Sequence, residues 1–235
     1  MAADMLEGMR GCIFDYGGTL DTGGNHWGRI IWHSYERQCV PVSEDVFREA
    51  YVYAERELGR NPIIQSDYTF ETTLSVKLKI QMEHIAGDVQ GFDSARWHKA
   101  VLADLYNGVK KETARSLTVL KEVAKRMPMV LVSNFYGNLH TVLHEFGFDG
   151  LFVDVVESAV VGVRKPDPAI FSMGISALGM KADQVVVIGD SYPKDIVPAK
   201  KLGCRTVWIM GEGWTDYIGA DASADYTIHS LGQLL

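Results

Sequence analysis

The chain reads as a doubly wound α/β protein, a Rossmann-like core with a parallel sheet, carrying an all-helical segment inserted after its first strand. Three observations predict this. Short apolar runs at Gly11–Asp15, Met129–Ser133 and Val185–Asp190 each end in a polar residue where a loop should begin, the pattern of buried parallel strands. Helical patterns alternate with strand patterns over the second half of the chain, as crossover connections require. Residues 22–108 break that rhythm and show apolar positions at helical spacing alone.

Taken in order, the first strand ends at Asp15 and is followed by the insertion. Trp27, Ile30, Ile31, Ser34 and Tyr35 share one helical face, and Val46, Ala50, Tyr53 and Leu58 another. Pro41 and Asn61-Pro62 mark breaks, so four to five helices are expected. The Thr22-Gly23-Gly24 stretch suits one hinge and Asn107-Gly108 the other. The core then comprises residues 1–21 and 109–235. Its expected helices are Thr113–Arg126, Tyr136–Phe146, Pro168–Leu178 and Asp195–Leu202, with weaker strands at Val153–Glu157 and Thr206–Ile209. Ligands of open α/β sheets bind outside the carboxyl ends of the strands. Asp15, Ser133 and Asp190 therefore gather at one edge if their three strands are neighbours.

Composition narrows the class. The 235 residues can bury a full core. A hydrophobic share of 47% with 23% charged residues is that of an ordinary soluble globular chain. The net charge of −7 and the lack of lysine or arginine runs argue against a nucleic-acid surface. Cys12, Cys39 and Cys204 are isolated thiols without CxxC spacing, so neither a disulfide framework nor a zinc site is expected. Met1 to Arg10 carries acids and no long apolar stretch, unlike a signal peptide. With no long apolar window either, no membrane contact is expected. The expectation is a cytoplasmic protein, a monomer or homodimer.

Four segments carry chemistry. In Phe14-Asp15-Tyr16-Gly17-Gly18-Thr19, a carboxylate is followed by two glycines that let the backbone pass close to a phosphate; Thr19 suits a hydrogen bond that stabilises the loop. In Val130-Leu131-Val132-Ser133-Asn134, the hydroxyl suits either a phosphoryl oxygen or the N-cap of the next helix. In Lys165-Pro166-Asp167-Pro168, two prolines fix the loop that carries a lysine and introduce a helix. Gly189-Asp190-Ser191-Tyr192-Pro193-Lys194-Asp195 places two carboxylates after a strand. Pro198 follows that segment and is read as helix geometry.

Together, in this order, the four segments resemble the motifs of the haloacid dehalogenase-like hydrolases over the core from Asp15 to Asp195. The resemblance implies a phosphatase in which Asp15 attacks phosphorus and Lys165 neutralises the phosphate. It implies phosphate contacts from Ser133, Asn134 and Thr19, and a supporting carboxylate at Asp195. Mg²⁺ would be held by Asp15, Asp190 and the carbonyl of Gly17, a hard oxygen set that suits this ion. The insertion corresponds to a cap that closes over a small phosphorylated metabolite.

One departure stands out. The family's phosphatases have a second aspartate at the position of Gly17, which protonates the leaving oxygen and later activates water. Such acid–base catalysis contributes about 10²–10⁴-fold. Tyr16 and His26 are nearby groups that could stand in, though His26 reads more simply as a polar residue of the Gly23-Gly24-Asn25 linker. A weak phospho-ligand-binding protein is the alternative function. The dehalogenases of the family lack the metal aspartate and carry a tyrosine where this chain has Phe171. The phosphonatases use a cap lysine some forty residues beyond the nucleophile, and this chain has none before Lys77. Its ion-pumping ATPases carry threonine at the Gly17 position, but with membrane spans that this chain lacks. Trp27, Trp32, His33 and Tyr68 are candidate pocket residues, though aromatics at helical spacing are more often core.

Overall fold

The computed structural model describes residues 5–214 and 224–235; the first four residues of the Met1–Arg10 segment lie outside them. Six parallel strands form one sheet: β1 (Gly11–Phe14), β2 (Met129–Ser133), β3 (Asp154–Glu157), β4 (Val185–Gly189), β5 (Arg205–Ile209) and β6 (Tyr226–Ile228). Their order is β3-β2-β1-β4-β5-β6. β1 therefore sits between β2 and β4, and the chain reverses direction across the sheet at the β1/β4 boundary. That switch point is where a crevice opens in a doubly wound sheet.

The central strands are buried on both faces because their side chains alternate between two cores. Cys12, Phe14, Met129, Leu131, Val186 and Ile188 face one core, while Ile13, Val130, Val132, Val185 and Val187 face the other. The second core is closed by α7 (Ala169–Leu178). The first continues into the helices of the insertion, so insertion and sheet share apolar packing.

The insertion has four helices: α1 (Trp27–Arg37), α2 (Glu44–Arg60), α3 (Phe70–Asp88) and α4 (Ser94–Ala124). Ser43, Thr69 and Asp93 cap α2, α3 and α4 through side-chain oxygens that accept backbone N–H groups otherwise left unpaired. α4 departs from the sequence reading. It runs 31 residues without a break, through Asn107 and Gly108 and on through the helix expected at Thr113–Arg126. Val101 and Leu105 are buried on its insertion side and Val119, Leu120 and Val123 on its core side. That packing outweighs the cost of about 1 kcal/mol for one glycine in a helix. The return path is a rigid rod, whereas Gly23 and Gly24 both take left-handed φ values, of 64° and 96°.

The remaining helices are short: α5 (Leu139–Glu145), α6 (Ser158–Val161) and α8 (Val197–Lys201), the last preceded by a π-helical turn at Tyr192–Ile196. Pro198 lies at the second position of α8, where its missing N–H costs no helical bond. α5 begins three residues later than the pattern suggested, and Ser133 does not cap it; Asn138 precedes it.

Candidate active site

Asp15 follows β1 directly, and its N–H still donates to Ile188 O of β4. Its carboxylate is 6% exposed and accepts three side-chain hydrogen bonds. Ser133 Oγ donates to Oδ1 at 3.1 Å, Lys165 Nζ to Oδ1 at 2.6 Å and Thr19 Oγ1 to Oδ2 at 3.1 Å. Gly18 turns the loop with φ of 97°, and a Cβ there would lie 2.4 Å from Asp190 Oδ2. Glycine is thus required for the Asp15 loop and the Asp190 loop to approach each other. Gly17 differs: its φ is not left-handed, and a Cβ would meet nothing within 4 Å.

Lys165 reaches Asp15 from the loop before α7. Asn134 positions that loop, its Oδ1 accepting from Lys165 N at 2.9 Å and its Nδ2 donating to Lys165 O at 3.1 Å. The ammonium also donates to Asp195 Oδ1 at 2.7 Å, and Asp195 Oδ2 accepts from Ser191 N at 3.0 Å. Burial by itself would lower the Lys165 ammonium, but Asp15 and Asp195 outweigh it and hold the group above the ordinary lysine range. Phe171 packs beneath it, 5.3 Å from ring centroid to Nζ.

Asp190 follows β4 across from Asp15. Thr19 ties the two loops: its single hydroxyl proton is shared between Asp15 Oδ2 and Asp190 Oδ1, at 3.1 and 3.0 Å, and its oxygen accepts from Asp190 N at 3.1 Å. Carboxylate oxygens of Asp15, Asp190 and Asp195 all lie within 4.8 Å of one another. Burial, then the charges of Asp15 and Asp195, push the Asp190 carboxyl well above its ordinary range. Such a cluster of hard oxygen donors, with more negative charge than Lys165 can offset, fits a small divalent cation.

A family model of haloacid dehalogenase-like hydrolases matches residues 9–203, a span that contains every one of these groups. The chain belongs to that family. A glyceraldehyde 3-phosphate phosphatase of Methanocaldococcus jannaschii is 40% identical over 93 residues, which are 40% of each chain. The haloacid dehalogenase-like hydrolase domain-containing protein 3 of Danio rerio is 29% identical over 68% of this chain and 76% of its own. The match to the archaeal phosphatase thus spans about two fifths of its length. Among solved structures, a dehalogenase with an intermediate complex superposes with a TM-score of 0.65 at 16% identity, covering 97% of this chain and 96% of that one. At that identity the likeness is one of fold.

In this haloacid dehalogenase-like chain the helical insertion roofs a cavity of about 1030 Å³ above Asp15. Its wall includes Trp27 but not Trp32, His33 or Tyr68. Trp32 instead packs on Phe47 inside the insertion, and His33 pairs with Glu36 and Glu212 at the surface. Tyr16 is fully buried against Phe135, its hydroxyl without a hydrogen-bond partner among the described residues, and burial pushes it far above the range of a proton donor. His26 lines the cavity, but it is the N-cap of α1: Nδ1 accepts from Gly28 N at 3.0 Å. Burial and then the nearby Lys194 and Lys77 lower it to about 4, so it is neutral.

Three cavity residues escaped the sequence reading. Asp21 is 1% exposed and accepts from Gly18 N at 2.7 Å and from Trp27 Nε1 at 3.0 Å. Burial pushes its carboxyl up to about 7 against those two donors. Glu55 of α2 and Lys77 of α3 form an ion pair in the roof. Asp21 sits in the first motif segment, where a second carboxylate six residues after Asp15 was a usable signal. Glu55 and Lys77 lie on different helices, and no local pattern joins them.

Proposed function

We propose that this chain is a Mg²⁺-dependent phosphatase of a small phosphorylated metabolite, acting through an aspartyl-phosphate on Asp15. The observation that carries this reading is the Asp15 carboxylate, held by Lys165, Ser133 and Thr19 and facing a roofed cavity. The phosphatase names of several relatives support it. Residues 22–108 act as the cap, and the protein works in the cytoplasm as a monomer or homodimer.

In this mechanism an Asp15 oxygen forms a bond to phosphorus while the bond to the leaving oxygen breaks. Water then attacks the phosphorus, the bond to the Asp15 oxygen breaks and inorganic phosphate leaves with the carboxylate restored; the proton that the water loses reaches the leaving oxygen through solvent. Ser133, Asn134 and Thr19 shape the site that receives the phosphoryl oxygens, and Lys165 offsets their charge at a fixed point. Asp195 holds Lys165 in place. Mg²⁺, held by Asp15, Asp190 and the Gly17 carbonyl, would neutralise charge that builds on the transferred phosphoryl group. The cap limits the access of bulk water to the site. Because Gly17 provides no carboxyl to protonate the leaving oxygen, turnover is slow.

Gly17 favours a second reading, a protein that binds a phosphorylated ligand with little turnover. Phosphonatase chemistry is disfavoured by Lys77. Burial would lower its ammonium, but Glu55 and then the Tyr136 and Tyr51 hydroxyls raise it above the ordinary lysine range. A protonated amine cannot attack a carbonyl. Phosphate release from a panel of small phosphomonoesters, with Mg²⁺ and with EDTA, tests the proposal beside an Asp15→Asn control. Metal-dependent release lost in the control is expected. A folded, metal-binding protein that releases none would leave the binding reading.

A further inference from the structure

The roof of the cavity holds a buried cation with a single carboxylate partner. Lys77 is 9% exposed at its side chain and faces the same cavity as Asp15, from the opposite wall. An ammonium has three N–H donors. One is directed at Glu55; the other close neighbours are the faces of Tyr51 and Trp27, 5.1 and 5.8 Å from Nζ. No second oxygen or nitrogen acceptor for Lys77 is found among the described residues. Glu55, by contrast, is shared: it accepts from Tyr136 OH at 3.3 Å as well as from Lys77.

The other cations of the cavity wall are of a different kind. Arg56, Arg60, Arg164 and Lys194 are all exposed, so water screens them, and Lys165 is engaged by Asp15 and Asp195. Among the described cations of the cavity wall, Lys77 joins burial to a place on the insertion, with a single carboxylate partner. An ammonium with one carboxylate partner can turn its other N–H groups to an anion that enters the cavity, and a charge-assisted bond in a largely buried setting is strong.

We infer that the leaving group of the substrate carries a carboxylate, which docks on Lys77 between the Trp27 and Tyr51 rings while the phosphate lies at Asp15. The substrate class is a small phosphorylated hydroxy acid, with one anion at each end. This rests on the phosphatase reading for its orientation but not for its test. The Trp27 and Tyr51 rings flank the ammonium, and Glu55 keeps it charged before the ligand arrives. A neutral sugar or alcohol phosphate would offer Lys77 no anion at the leaving-group end.

Calorimetric titration with phosphonates that cannot be hydrolysed separates binding from turnover. Phosphonoacetate and ethylphosphonate differ chiefly by the carboxylate. In the presence of Mg²⁺, phosphonoacetate is expected to bind about ten- to a hundred-fold more tightly, as a charge-assisted bond in a buried site requires. Lys77→Met is expected to bring that ratio close to one. Because Lys77→Met strands the Glu55 carboxylate, the Lys77→Met/Glu55→Gln double variant is titrated alongside, with the same expected ratio. Equal binding of the two phosphonates, or a preference that survives in both variants, overturns the inference. A preference lost in the variants, in a protein that releases no phosphate, keeps the carboxylate site and removes the phosphatase reading.

Discussion

Lys165 Nζ stands 2.6 Å from Asp15 Oδ1, with only 2% and 8% of the two side chains exposed. This ion pair aims the carboxylate and stores positive charge where a phosphoryl group would arrive. Removing one partner of a buried pair costs about 3–5 kcal/mol of stability. Losing a fixed positive donor from the reacting centre costs about 10²–10³ in kcat. Lys165→Met is expected to show both, read by thermal unfolding and by phosphate release. Turnover at the wild-type level in a folded variant would remove Lys165 from the mechanism.

Gly17→Asp is expected to speed hydrolysis. The position needs no left-handed backbone, and a side chain there begins in open space within the cavity wall. A carboxyl that delivers and removes the proton restores up to about 10²–10⁴-fold, roughly 3–5 kcal/mol of barrier. Single-turnover kinetics should show faster breakdown of the aspartyl-phosphate. No gain with any substrate that the wild type binds would count against the role given to this glycine.

Asp21 predicts a pH dependence of stability. Its carboxyl is pushed up to about 7 from an ordinary value of 3.8, by burial first. Between those values the folded chain keeps a proton that the unfolded chain has released. The stability this contributes is fully present below the lower value and is lost as pH rises through the upper one. Asp21→Asn removes the contribution, so its unfolding temperature should fall less than that of the wild type between pH 5 and pH 8. Measurement in EDTA keeps metal binding out of the comparison. Parallel pH profiles would show that Asp21 does not titrate in this window.

The acidic cluster predicts stabilisation by metal. A ligand that binds only the folded state at a hundred times its Kd adds about 2.7 kcal/mol. Mg²⁺ should therefore raise the unfolding temperature of the wild type, and EDTA should reverse the rise. In Asp190→Asn the rise should be largely lost, since one of the two carboxylates proposed to hold the ion is gone. An undiminished rise in that variant would place the ion elsewhere.

The fold was legible where its cause is local. Strands buried on both faces must be continuous apolar runs, so β1, β2 and β4 announce themselves, and each ends at the polar residue that faces the crevice. The motif residues were legible for the same reason: glycines and prolines in short loops state the backbone they require. β6, three residues long at the sheet edge, offers no such period. The unbroken course of α4 through Asn107 and Gly108 was likewise out of reach, because burial on both flanks decided it rather than helix propensity.

The same division runs through the site. Sequence alone determined which groups Asp15, Ser133, Lys165, Asp190 and Asp195 are and that Asp15, Ser133 and Asp190 stand at strand ends, since parallel strands side by side bring their carboxyl ends together. Tertiary structure decided what the neighbours of Asp15 can do. Tyr16 points into the core, His26 is spent on a helix cap, and Asp21 is held by Gly18 and Trp27 in a setting dry enough to keep a proton. It also brought Lys77 to Glu55 across two helices and set the pair over the nucleophile. Burial and partner charge depend on how helices pack, and packing joins residues that no spacing along the chain connects.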